Sequence, residues 1–186
     1  VTPVTATALF DRDGQRFVAT ELSRGPWDAR HCHGGPIAAL LARAIEHADE
    51  GSDAWQVARL TVELVRPVPV LTALGLTVEI ERPGRKVSLV AAVLRDGDTE
   101  VARVRSLRIR AEHLPLPDDA NLATDVPLAA PETGLWQRPS WATGDHVAFH
   151  SHGCEHRFVA GTWDTPGPVE LWIRLLFPLL DGEETS

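Results

Sequence analysis

The chain has 186 residues, 44% of them hydrophobic, enough for one ordinary domain with a real core or part of a tandem pair. A net charge of −8 argues against a general nucleic-acid binder, which would carry a basic surface. No apolar run approaches the ~20 residues of a membrane-spanning helix, and no secretory leader is read at the start. Cys32 and Cys154 make no disulfide framework, so a reducing cytoplasm is the simpler expectation. The sequence contains no methionine, so its natural start is expected to have been processed or to lie outside it.

Leu9 to Ala19 reads as a β-hairpin turning at Asp13-Gly14, a pair suited to positive φ. From Arg24 to Asp49 an irregular loop feeds one amphipathic helix. Ile37, Leu40, Leu41, Ala44, Ile45 and Ala48 recur at helical spacing and predict a buried stripe. Pro36 suits the first turn, and Gly51 is a reasonable C-terminal stop. Gly34 and Gly35 precede the stripe without side chains. Their N–H groups, with the positive end of the helix dipole, would favour a carbonyl oxygen developing negative charge. Close packing of the helix start against a strand makes the same demand on size. His33 stands either to hydrogen-bond a ligand or to hold the loop; Trp27 and Asp28 face the same choice.

Leu60, Val62 and Leu64 alternate with Arg59, Thr61 and Glu63, predicting a strand with one buried face. Arg66-Pro67-Val68-Pro69 closes it, because proline cannot donate to a central ladder. Leu74, Leu76, Val78 and Ile80 give the next alternating face. Arg82, Arg85 and Lys86 surround a Pro83-Gly84 turn and either meet phosphates or stay solvated. Val87 to Leu94 is apolar on both faces, predicting a central strand covered on each side. In Val101 to Arg110, Ala102 and Val104 share one parity while Leu107 and Ile109 share the other. Either a bulge near Arg105 or Ser106 reconciles them, or the strand is two-sided at its end.

Glu112 to Asp145 is broken by prolines and reads as a linker, with Trp136 and Trp141 placed to pin it down. His146 to Ala160 and Val169 to Phe177 predict two more strands around an Asp164 to Pro168 turn. The expected division is residues 1–111, 112–145 and 146–186. Two strands cannot bury a core alone. They are expected to extend the first sheet or dock on another copy, giving a homo-oligomer through sheet edges. On a regular strand His150, His152, Cys154 and His156 would share one face and could hold zinc, with His31, Cys32 and His33 as further ligands. Gly153 is placed to break that register and the ligands are only local, so no metal is assigned.

GPWD, HGGPIAALLARAIE, ARLTVELVRPVP, RPGRKVSLVAAVLRDG and EVARVRSLRIR resemble the first half of double-hotdog acyl-CoA thioesterases of the thioesterase II (TesB-like) group. HSHGCEHRFVAGTWDTPGPVELWIRLLFPLLDGEE resembles the opening strands of their second half. The resemblance implies an α+β hotdog fold, an antiparallel sheet wrapped round one long helix, with one complete hotdog and the first strands of another. It implies hydrolysis of a fatty acyl-CoA to free acid and CoA, without a cofactor, the acyl chain lying in a tunnel beside the helix. On that reading the substrate-binding positions are Trp27, His33, Gly34, Gly35, Arg82 and Arg85.

The family's catalytic Asp, its Thr or Ser, and its Gln would all fall after Ser186, so no catalytic residue is assigned. Single-hotdog thioesterases with an HGG start carry an acidic residue two turns along the helix. Here that slot is Ala42, with Glu46, read as a surface residue, one turn further. A non-catalytic acyl or acyl-CoA binding module is the alternative. A hotdog dehydratase is a third reading, but His33 has no evident acidic partner except Asp28.

Overall fold

In the computed structural model, which describes residues 4–49, 55–112, 115, 117, 129–139 and 146–185, β1 (Phe10–Asp13) and β2 (Arg16–Ala19) form the expected hairpin. Its turn falls one residue later than the sequence suggests. Gly14, at φ +60°, takes the first central position, where the twist of a tight hairpin calls for positive φ, and Gln15 takes the second. After α1 (Gly34–Glu46) come β3 (Trp55–Leu64), β4 (Ala73–Arg82), β5 (Val87–Asp96) and β6 (Thr99–Arg110). The six strands make one antiparallel sheet in the order β1-β2-β4-β5-β6-β3. The helix α1 lies against β3, β5 and β6. A sheet curled round a single helix is the hotdog arrangement.

The predicted stripe is the core. Ile37, Leu40, Leu41 and Ile45 are each 1% exposed or less, and burying each such side chain contributes about 1.5–3 kcal/mol. Opposite them lie Val90, Ala92 and Leu94 of β5 with Ala102 and Val104 of β6. The helix ends at Glu46, so Ala48 falls beyond it; His47 caps it, its backbone N–H and its ring Nδ1 both meeting the Arg43 carbonyl. Gly51 lies outside the described residues.

The register Leu60↔Ser106, Val62↔Val104 and Leu64↔Ala102 puts the apolar row of β3 on the helix side of the sheet. That row is nevertheless not buried as predicted: Leu60 is 37% exposed and Leu64 54%. β3 is an edge strand, and one helix covers the centre of the sheet and leaves its margins open. Val78 and Ile80 of β4 are exposed in the same way. β5 is central, but its second face, Leu89, Ala91 and Val93, is only half-buried. The parity change in β6 is the two-sided alternative. Pairing with β5 runs unbroken from Ala102 to Ile109, so there is no bulge at Arg105 or Ser106. The irregularity is at Val101, where the register slips from Leu94↔Ala102 to Arg95↔Glu100.

A second sheet, in the order β7-β8-β9, is made of β7 (Leu135–Trp136), β8 (Cys154–Ala160) and β9 (Glu170–Leu175). β7 lies inside the stretch read as linker; Trp136 is exposed beneath Arg138, and Trp141 lies outside the described residues. Phe149–Gly153, expected to be strand, forms a π turn that presses against the start of α1. The Phe149 N–H donates to Arg24 O at 2.9 Å. The two late strands therefore do not extend the first sheet. Among the described residues the chain after them does so: Leu9 and Phe10 donate to Pro178 O and Leu179 O, each at 3.0 Å, beside β1.

Candidate functional site

The start of α1 is held from three sides. His33 is the N-cap: its Nδ1 accepts the Gly35 N–H at 3.0 Å, and its own N–H donates to Ser23 O at 2.8 Å. The Cys32 N–H donates to Val68 O at 2.8 Å, so the Pro67–Pro69 segment after β3 folds back against the loop. Asp28 clamps the loop from outside, accepting the Arg30 N–H at 2.9 Å and the Arg30 guanidinium at 2.8 Å. Those Arg30 hydrogen bonds hold the Asp28 carboxyl well below the usual carboxylate range.

These bonds decide which amides at the helix start are left without a protein acceptor. The Gly35 N–H is taken by the cap, Pro36 has none, and the Ile37 N–H begins the helical ladder. The Gly34 N–H meets no acceptor among the described residues. The helix start thus offers one amide where the two glycines suggested two. The glycines also face different ways. A Cβ on Gly34 would meet Leu64 Cδ1 at 3.0 Å; on Gly35 it would meet His33 Nδ1 at 3.2 Å and Phe149 Cε1 at 3.3 Å.

Gly34 opens onto a cavity of about 270 Å³, with Ile37, Cys32, Leu64, Arg66 and Val68 around it. Its wall is almost evenly polar and apolar, and the Arg66 side chain in it is bonded to Glu100 O at 2.8 Å. The Cys32 thiol, 3.6 Å from Pro69 O, is pushed up to about 12 by burial and stays protonated, so it is no nucleophile. The Pro67–Val68 wall was not picked out from sequence. The prolines that end β3 were its signal, read there only as a strand stop.

On the other side of the helix start three imidazoles meet. His33 Nε2 lies 3.1 Å from His150 Nε2, and His150 Nδ1 lies 3.4 Å from His156 Nε2. Phe149 stacks on His33 with ring centroids 5.2 Å apart, and Trp163 sets its edge against His156 at 5.1 Å. Burial pushes all three histidines below their ordinary 6.5; His150 lowers both His33 and His156 a little further. His152 turns away, meeting the Ser151 hydroxyl at 2.7 Å, so the histidines expected on one strand face do not share it. Among the described residues no cluster of three or more His, Cys, Asp or Glu is arranged to hold a metal.

The remaining predicted residues lie elsewhere. Trp27 is 89% exposed on the loop Asp28 fixes. Arg82 and Arg85 flank the β4–β5 turn, next to the Val87↔Ile109 and Ser88↔Arg108 pairs. Arg108, buried, reaches Ile45 O in the last turn of α1 at 3.2 Å and Asp49 at 2.6 Å. That turn is therefore at the opposite end of the helix from Gly34, roughly 17 Å along its axis at 1.5 Å per residue. Ala42 is half-buried and Glu46 exposed.

Residues 23–109 match the family described as the acyl-CoA thioesterase N-terminal domain. This match supports the thioesterase superfamily. Among solved structures, a candidate thioesterase from Novosphingobium aromaticivorans is 21% identical with a TM-score of 0.66, over 91% of this chain and 66% of that one. A hot dog fold protein of unknown function from Alicyclobacillus acidocaldarius is 15% identical with a TM-score of 0.62, over 90% and 60%. At these identities they show the hotdog fold. The chain spans 66% and 60% of their lengths. No match was found among curated proteins.

Proposed function

We propose that this chain is the acyl-CoA-binding part of a double-hotdog thioesterase of the thioesterase II type. The observation that carries the reading is the cavity bounded by Gly34, whose N–H neither the cap nor the ladder takes. A thioester carbonyl oxygen in that cavity would meet one amide at the positive end of a 13-residue helix. The acyl chain would run along Ile37 and Leu64. A water activated by a carboxylate would attack the carbonyl carbon and release CoA as the thiol. That carboxylate is proposed to come from a second hotdog helix beyond this sequence, because position 42 is alanine.

In the same reading the chain divides at residues 1–111, 112–145 and 146–186, acts in the cytoplasm, and pairs with another copy through the open edge at β3. Arg82 and Arg85 serve it only toward CoA held by another copy, since they lie at the far end of α1 from Gly34. The test is paired: binding of medium- and long-chain acyl-CoA by calorimetry, and thiol release by the same preparation. Binding with near-background release is expected of this chain. Robust turnover by protein of verified mass would show that the attacking carboxylate lies within it, and absence of binding would remove the site.

A non-catalytic acyl-CoA-binding module is favoured by one observation, the alanine at position 42. Tight binding without thiol release by the natural full-length product would select it.

A further inference from the structure

The Gly35 amide can only donate, so His33 Nδ1 must be an acceptor and the His33 proton sits on Nε2. That N–H points at His150 Nε2, 3.1 Å away, which must then accept. The His150 proton is therefore on Nδ1, facing His156 Nε2 at 3.4 Å. One backbone N–H thus dictates the tautomers of three neutral rings in sequence. Both nitrogens of His33 are occupied, so it has no lone pair to act as a general base. The chain cannot carry a proton to the helix start either, because its first member is an amide that keeps its hydrogen.

We propose that His150 is a positioning residue, fixing the ring of His33 and through it the Gly35 amide, so that Gly34 alone turns its N–H to the cavity. The contact joins the π turn before β8 to the start of α1, 117 residues earlier in the chain. Phe149 supports it by stacking on His33, while the Phe149 N–H ties the turn to Arg24. His156, 1% exposed, anchors the far end beneath Trp163. The tautomer assignment stands on geometry alone; its consequence for the Gly34 amide rests on the acyl-CoA reading above.

The test is ring-nitrogen NMR on the intact chain carrying ¹⁵N-histidine. His33 is expected as the Nε2–H tautomer, His150 and His156 as Nδ1–H. In His150→Phe, His33 should lose its acceptor, and both its Nε2 signal and the Gly35 amide signal should shift. His150→Gln places an amide oxygen near the lost Nε2 and should restore the His33 signals. Nδ1–H on His33 in the unaltered protein, or His33 signals unchanged in a folded His150→Phe, would overturn the assignment. If the ring signals follow the expectation and no acyl-CoA binds, the positioning role stands and the thioesterase reading falls. If acyl-CoA binds equally well to both variants while the ring signals change, His150 positions His33 without serving the cavity, and the second half of the proposal is lost.

Discussion

Gly34 and Gly35, neighbours in sequence, face opposite sides of the helix start. Gly34 looks toward Leu64 and the cavity; Gly35 lies under His33 and Phe149. Identical residues therefore carry different demands. Gly34→Ala presses only on the exposed end of Leu64, which can move, and alanine is the better helix former. Thermal stability should stay level or rise slightly, while acyl-CoA affinity falls. Gly35→Ala crowds two stacked rings, and overpacking of that kind costs about 1–3 kcal/mol. Denaturant unfolding of both variants separates them.

His33 caps α1, so His33→Ala should cost about 1 kcal/mol, the usual loss for a missing N-cap. His33→Asn keeps a capping oxygen but cannot reach His150. It should recover the stability and not the His150 signals. Urea unfolding beside the ring-nitrogen spectrum checks both halves.

Stability should depend on pH through the three rings. Burial pushes His33, His150 and His156 below their ordinary 6.5, so between the lowered values and 6.5 the unfolded chain binds more protons than the folded one. Their contribution is complete above pH 6.5 and is lost as pH falls through the lowered values. Among the described residues His33, His156, Phe149 and Trp163 face His150, and of these the two histidines titrate. A melting temperature flat above neutrality and falling below it is expected, with a shallower fall in His156→Gln. A curve rising toward acid would contradict this.

Arg108 is 1% exposed and joins the last turn of α1 to Asp49. Arg108→Met leaves a carboxylate and a helix carbonyl without their partner, a loss of about 3 kcal/mol. Lysine lacks the fork that reaches both, so Arg108→Lys should recover little of it. Chemical unfolding gives the difference.

What was legible in the sequence was whatever one element decides for itself. The stripe from Ile37 to Ile45 specified a helix and its buried face, and the turns at Gly14 and Gly97 punctuated the strands almost where they fall. The burial of β3 was not legible, because alternation marks a face and not whether anything covers it. Val101 was missed because Thr99 and Glu100, the strand residues before it, are polar and leave no apolar parity on that side of the bulge to compare. The π turn at Phe149–Gly153 was hidden by a His-Ser-His-Gly-Cys run that alternates as a strand would. His33 meets His150 across 117 positions, a distance over which no local pattern operates. Gly35 was read as a donor to substrate because its competitor for that bond, the ring of His33, is a fact of conformation.

The open row of Leu60 and Leu64 on β3 is the proposed edge for a second copy. Leu60→Lys with Leu64→Lys should shift the sedimentation coefficient from dimer to monomer without unfolding the sheet. A chain that sediments as a monomer before substitution would contradict the pairing.

The central claim is that one amide, that of Gly34, receives the acyl oxygen. Titrating the ¹⁵N-labelled chain with an acyl-CoA analogue in which a ketone replaces the thioester tests it most directly. The Gly34 amide proton should move downfield to saturation while the Gly35 amide stays nearly fixed. A saturating analogue that moves Gly35, or leaves Gly34 where it was, would contradict the account.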